Sequence, residues 1–138
     1  MRFTGSKDET WIGNFQSGHS YHSEVIVWRE AHLFVVIAAG ACYLVSAEDP
    51  ERYVYHQSTV TGVLFNEDRT KMFVADYFDL YAYDRTGSVL WKCENMAVDG
   101  IELIECASGF VRGCVCYDPP EGWEDFKVSE STGQLIKP

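Results

Sequence analysis

Between residues 61 and 93 the chain reads TGVLFNEDRTKMFVADYFDLYAYDRTGSVLWKC, and apolar and polar positions change over there in short runs. Residues 61–66, 71–77, 80–84 and 88–93 are rich in β-branched and aromatic side chains, whereas Asn, Asp, Thr and Gly punctuate the gaps. Side chains on a strand alternate between two faces, and Gly, Asn and Asp relieve the backbone in tight turns. The pattern predicts four antiparallel strands joined by turns at 67–70, 78–79 and 85–87.

The pattern recurs. A Phe-Val pair stands at Phe34-Val35, Phe73-Val74 and Phe110-Val111, with spacings of 39 and 37 residues. Third strands follow as CYLVS (42–46), LYAYD (80–84) and DFKVS (125–129), each trailed by an acidic or Thr-Gly turn at 47–51, 85–87 and 131–133. Fourth strands are predicted at 53–55, 89–91 and 134–136, and first strands at 24–28, 61–65 and 101–105. Periods of about 20–50 residues mark repeat architectures. The single domain 1–138 thus divides into an N-terminal edge segment, 1–22, and three units, 23–57, 58–93 and 94–138. Residues 9–15 read as a short strand pairing across a sheet edge, and the small residues 38–41 let two backbones approach closely.

The segment LYAYDRTGSVLWK (80–92) resembles the LYALDxxTGxxLW core of quinoprotein-type and WD40-like β-propeller blades. The resemblance implies an all-β fold: about twelve strands in three propeller-like four-stranded antiparallel sheets, preceded by a short N-terminal strand. Closed propellers have about four to eight blades, so three units imply a partial or half propeller, with open edges or closure by dimerisation. A shared fold unit carries no function by itself. Quinoprotein enzymes need a complete propeller and further cofactor residues, so no cofactor is implied.

Composition narrows the class. With 138 residues, 46% apolar and 14% aromatic, the chain can bury a real core and is not disordered in bulk. Its longest apolar run, 33–41, is strand-like and far short of the roughly 18 residues of a membrane span. The start MRFTGSKDET lacks the apolar core of a signal peptide, and five cysteines form no regular framework, which together predict a cytoplasmic protein. Cys114 and Cys116 share one strand face and read as small core residues. Charge says more: 21 acids against 11 bases give a net charge of −10. Such a surface repels nucleic acid and favours a basic protein partner.

Catalytic signatures are missing: the sequence has no Gly-rich phosphate loop, no GxSxG and no CxxC. His19 and His22 are the only close histidine pair, and with Glu24 alone beside them they fall short of a metal shell. No enzyme, metal or cofactor is expected. Asp76, Asp79 and Asp84 are the one source of paired carboxylates, although acids at hairpin tips ordinarily serve their own turns.

The third unit is irregular. Third strands are 38 residues apart from Val45 to Tyr83 but 45 apart from Tyr83 to Val128, because the loop YDPPEGWED (117–125) intervenes. A Trp among acids has the composition of a binding hot spot. The reading is a non-catalytic protein-binding module, in concrete form a bacterial immunity-type inhibitor that occludes a basic toxin enzyme such as a nuclease. Its expected contacts are Asp118, Glu121, Trp123, Glu124 and Asp125, then Asp76, Tyr77 and Asp79, then Glu48, Asp49 and Glu51. The alternatives are a self-associating scaffold that forms homodimers and a hydrolase using the hairpin-tip carboxylates.

Overall fold

Short runs of Val, Ile, Phe and Tyr separated by turn residues leave the chain no long helical stretch, and it folds as an all-β protein with four antiparallel sheets. A computed structural model describes residues 1–5, 9–117 and 122–136. Two compact units, Met1–Thr59 and Val60–Pro138, make up the chain.

In the first unit, β1 (Arg2–Thr4) pairs with β2 (Thr10–Ile12), setting Phe3 opposite Trp11. The main sheet is a sequential meander of β3 (Glu24–Trp28), β4 (Leu33–Ala38), β5 (Ala41–Ser46) and β6 (Tyr53–Tyr55), with a single 3-10 turn, Arg29–Ala31, between β3 and β4. Alternation puts Phe34 and Val36 of β4 on the same face as their partners Val45 and Tyr43 of β5. Phe3 and Trp11 stack at 4.2 Å over that face, and Phe3 lies 4.9 Å from Phe34. The N-terminal segment therefore corrects the expectation of an edge strand. Its strand covers only Thr10–Ile12, and the β1–β2 ribbon lies across a face, where Phe3 and Trp11 bury far more apolar area than an edge provides.

Residues 38–41 form the β4–β5 hairpin. Their small side chains let the incoming backbone cross it closely, with Gly18 N–H bonding to the Ala38 carbonyl and Ser20 N–H to that of Ala39, both at 2.9 Å.

The second unit holds two meanders packed face to face. One is β7 (Gly62–Phe65), β8 (Met72–Ala75), β9 (Leu80–Tyr83) and β10 (Val89–Cys93); the other is β11 (Ile101–Ala107), β12 (Phe110–Cys116) and β13 (Trp123–Ser129). Their shared core includes Phe73, Leu80 and Trp91 from the first sheet and Val111, Phe126 and Val128 from the second. Residues 134–136, expected as a fourth strand, contribute one bridge between Val128 and Leu135, with bonds from Ser129 N–H to the Gln134 carbonyl and from Ile136 N–H to the Lys127 carbonyl. Three residues leaving a tight turn have room for little more pairing. In the other direction, β13 starts at Trp123 rather than 125, so Trp123 and Glu124 belong to a strand and not to the loop. Cross-strand pairing with Cys116 brings Trp123 into the ladder.

Trp91 joins the two sheets. Its ring packs 5.8 Å from Phe73, and its Nε1–H donates to the Glu130 carbonyl at 2.8 Å. Gly133 (φ 72°) turns the chain directly over the indole, where a Cβ would sit 2.5 Å from Cε3, so only glycine fits both the conformation and the space. Gly113 of β12 is as tightly constrained, since a Cβ there would overlap the Glu102 carbonyl oxygen and crowd Phe126. Gly113→Ala is expected to cost about 3 kcal/mol in urea unfolding, because backbone must move, and Trp91→Phe about 1 kcal/mol for its lost hydrogen bond. Equal stability of the Gly113→Ala protein would show that the β11–β12 approach is looser than described.

Candidate protein-binding surface

The clearest surface feature is built by β6 and the turn that precedes it. Ser46 Oγ accepts the N–H groups of Glu48 and Asp49, Asp49 Oδ1 accepts that of Glu51, and Arg52 N–H returns to the Asp49 carbonyl. This bonding fixes residues 46–52 as a turn with Glu48, Asp49 and Glu51 exposed. Asp49 serves the turn itself; Glu48 and Glu51 present their carboxylates outward.

The chain then enters Tyr53–Tyr55, whose residues are 60%, 49% and 50% exposed. Two residues apart, Tyr53 and Tyr55 share a face. Both rings converge on Tyr43 of β5, with centroids at 6.3 and 5.2 Å, and Phe15 also approaches Tyr43, at 5.1 Å. Tyr43 is anchored by its hydroxyl, which donates to the Gln16 carbonyl at 3.0 Å. Burial and the neighbouring phenols of Tyr55 and Tyr53 raise its pKa, against the opposing effect of that hydrogen bond. On one side of this ridge lies a groove of about 490 Å³ formed by Trp11, Ile12, Phe15, Tyr43, Tyr53 and Glu51 among others. A second, of about 430 Å³, lies between Tyr55, His19 and Ser58.

The residues expected from sequence fall into three places. Glu51 lines the aromatic groove, with Glu48 and Asp49 on the same turn. Asp76 is 1% exposed, and its Oδ1 accepts the N–H groups of Phe78 and Asp79 at 2.7 Å each, so this carboxylate shapes its hairpin from inside. Asp79 Oδ1 accepts from Asn95 N–H at 2.8 Å, and the Tyr77 carbonyl accepts from Gly100 N–H at 2.9 Å, which ties the 76–79 tip to the 95–100 segment. Trp123 is 50% exposed and lies over Gly100, placing it near that same segment. Asp118 and Glu121 lie outside the described residues.

Glu124 and Asp125 are exposed on β13, but their surroundings are not purely acidic. Asp125 shares a groove of about 450 Å³ with Arg112 and Lys127, and its Oδ1 lies 3.3 Å from the Cys114 thiol. Arg112 pairs with Glu105 at 3.2 Å, and Lys127 sits 4.1 Å over the Phe110 ring. Among the described residues, the β6 groove has no such counter-charge, and Glu51 is the one charged side chain of its lining.

Sequence reasoning passed over Tyr53, Tyr55, Tyr43 and the ring cluster from Trp11 and Phe15. The signal was present in YVY, where alternation sets both tyrosines on one side of a three-residue strand directly after an acidic turn.

Among the described residues no group of three or more His, Cys, Asp or Glu is placed to hold a metal, and His22 Nε2 pairs with Glu24 at 3.0 Å. Burial pushes the Cys42 thiol up to about 12 and the Cys106 thiol up to about 11, so neither supplies a thiolate at neutral pH. Among the described residues, no helix is long and apolar enough to cross a membrane. No protein-family model matches the chain, and no curated protein matches it.

Asp84 closes the β9–β10 turn by accepting from Thr86 Oγ1, Thr86 N–H and Ser88 N–H. Partial burial alone would raise its pKa, but these bonds outweigh it and hold the carboxyl below the ordinary 3.8. A depressed folded pKa means the contribution is present above the unfolded value and disappears as pH falls through the folded one. Asp84→Ala is therefore expected to lose about 1–2 kcal/mol at pH 7. Urea titrations of both proteins should show that difference shrinking below pH 3.8; a constant gap would mean the charge plays no part.

Proposed function

We propose that this chain is a non-catalytic, acidic protein-binding module that inhibits a basic enzyme, in the manner of an immunity protein occluding a toxin such as a nuclease. The observation that carries the reading is the β6 surface: exposed Tyr53 and Tyr55, an aromatic groove beside them, and Glu51 as its single charge among the described residues. Aromatic anchors supply contact area at low entropic cost, and carboxylates at the rim pair with the Lys and Arg that a nuclease uses to hold phosphate. A net charge of −10 steers a basic protein toward that surface from a distance.

Three successive meanders with one strand plan support the blade-like character that LYAYDRTGSVLWK suggests, and we include it in the proposal as the scaffold for this surface. A cytoplasmic location in a bacterium belongs to the same reading.

The test is capture of a partner from host lysate on immobilised protein, eluted by a salt gradient, followed by binding and activity measurements with the purified partner. A stoichiometric basic enzyme, released by salt and inhibited by the protein, is expected. Replacing Tyr53 and Tyr55 together by Ala should weaken its binding about 100-fold or more. Reversing Glu48 and Glu51 to Lys should slow association and flatten its salt dependence without changing the unfolding midpoint. Reversal of Glu121, Glu124 and Asp125 together serves as the comparison. If that change abolishes binding while the β6 variants bind normally, the interface is the 117–125 region and the β6 surface is not.

A further inference from the structure

The backbone of β6 carries information that its side chains do not. Ser46 N–H bonds to the Arg52 carbonyl and His56 N–H to the Cys42 carbonyl, on either side of the register Val45–Tyr53, Leu44–Val54 and Tyr43–Tyr55. Residues of an antiparallel pair alternate between bonded and non-bonded positions. The N–H and C=O groups of Val54 accordingly face β5, and those of Tyr53 and Tyr55 face away from it. Among the described residues, nothing bonds to these four outward groups.

Exposed edges are commonly blunted by bulges, charges or Pro. At the edge of the second sheet, β10 has a register shift between Val89 and Trp91 and carries Lys92. β6 is short, at three residues, but has neither of these devices: it is Tyr-Val-Tyr, flat in register and about half exposed throughout. Beside it lies the groove in which, among the described residues, four aromatic rings surround one carboxylate and no cation. That lining suits a side chain with an apolar stem and a positive tip, which is Arg or Lys. A second copy of this chain would offer Tyr53 or Tyr55 at the matching position, leaving Glu51 without a counter-charge.

We propose that β6 is a strand-docking edge: an extended segment of the basic partner adds antiparallel to Tyr53–Tyr55 and places an Arg or Lys in the groove against Glu51. The inference rests on the basic-partner reading above and specifies its mode of contact. In antiparallel addition, the residues opposite Tyr53 and Tyr55 project on the groove side, and their own amides make the new hydrogen bonds. The cations and the bonding amides must then belong to the same residues.

This coupling sets the experiment, which leaves the protein unaltered. The probe is an acetylated, amidated hexapeptide alternating Arg and Val, with two isomers of identical charge: one N-methylated on its Arg amides, the other on its Val amides. Binding is followed by fluorescence anisotropy and by hydrogen exchange of the protein. The parent and the Val-methylated peptide should bind alike, while Arg methylation weakens binding at least about tenfold. Protection should rise at the Tyr53 and Tyr55 amides and stay unchanged at Val54. If both isomers bind equally, the attraction is charge alone and strand addition is wrong, though capture of a basic enzyme would stand. Failure of the parent peptide to bind at millimolar concentration overturns the proposal. So does a dimer mass with Tyr53 and Tyr55 already protected in the free protein, because the edge would then belong to a second copy.

Discussion

Small sheets cannot satisfy themselves. A meander of three or four strands has two faces to bury and two edges of unpaired backbone, and most of the particular features of this chain answer that constraint. The first unit covers one face of its sheet with the β1–β2 ribbon, stacking Phe3 on Trp11 and both against Phe34. The second unit lays one meander on the other and joins them through Trp91, whose ring fills the core while its N–H reaches the Glu130 backbone. Gly113 and Gly133 are glycine because these closures bring backbone or indole to where a Cβ would stand. At β10 a bulge and a lysine blunt the edge; at β6 the chain does neither.

The turns explain why the acids of this protein are not equivalent. Asp49, Asp68, Asp76 and Asp84 each accept backbone N–H bonds within their own turns. Such carboxylates are committed to geometry, and at Asp76 burial removes the group from the surface altogether. These carboxylates still add to the net charge of −10, but their oxygens are held to the backbone, so the carboxylates free to turn toward a partner include those of Glu48 and Glu51. Their extra methylene carries the carboxylate clear of the backbone, so they cap turns less readily and reach outward instead.

Strands were the most legible part of the sequence, since alternation and turn residues are local signals that tertiary packing had no reason to override. Longer-range closures were not legible. Nothing between Thr4 and Thr10 has the form of a two-residue hairpin, so the pairing of Phe3 with Trp11 could be found only in three dimensions. Trp123 follows Pro-Pro-Glu-Gly and therefore looked like loop, yet its pairing with Cys116 makes it strand. Asp76 looked like an ordinary solvated tip residue, because sequence does not disclose that the 95–100 segment folds over its hairpin. The site followed the same division. The acidic turn at 48–51 stood out by composition, whereas the groove it borders draws Trp11 and Phe15 from a segment some forty residues earlier.

Electrostatics then separates the two kinds of partner that an open aromatic edge would accept. Against a second copy, each chain brings the same excess of acids, and repulsion opposes approach once the surfaces come within the screening length of about 8–10 Å. Short-range fit between two Tyr-Val-Tyr strands would have to overcome that barrier and still leave Glu51 beside an aromatic ring. Against a basic segment both ranges agree: the net field attracts it, and the groove gives its cation aromatic faces and one carboxylate. An edge kept flat and aromatic, next to a pocket lined by the carboxylate of Glu51, is consistent at each length scale with a cationic strand and at only one with itself.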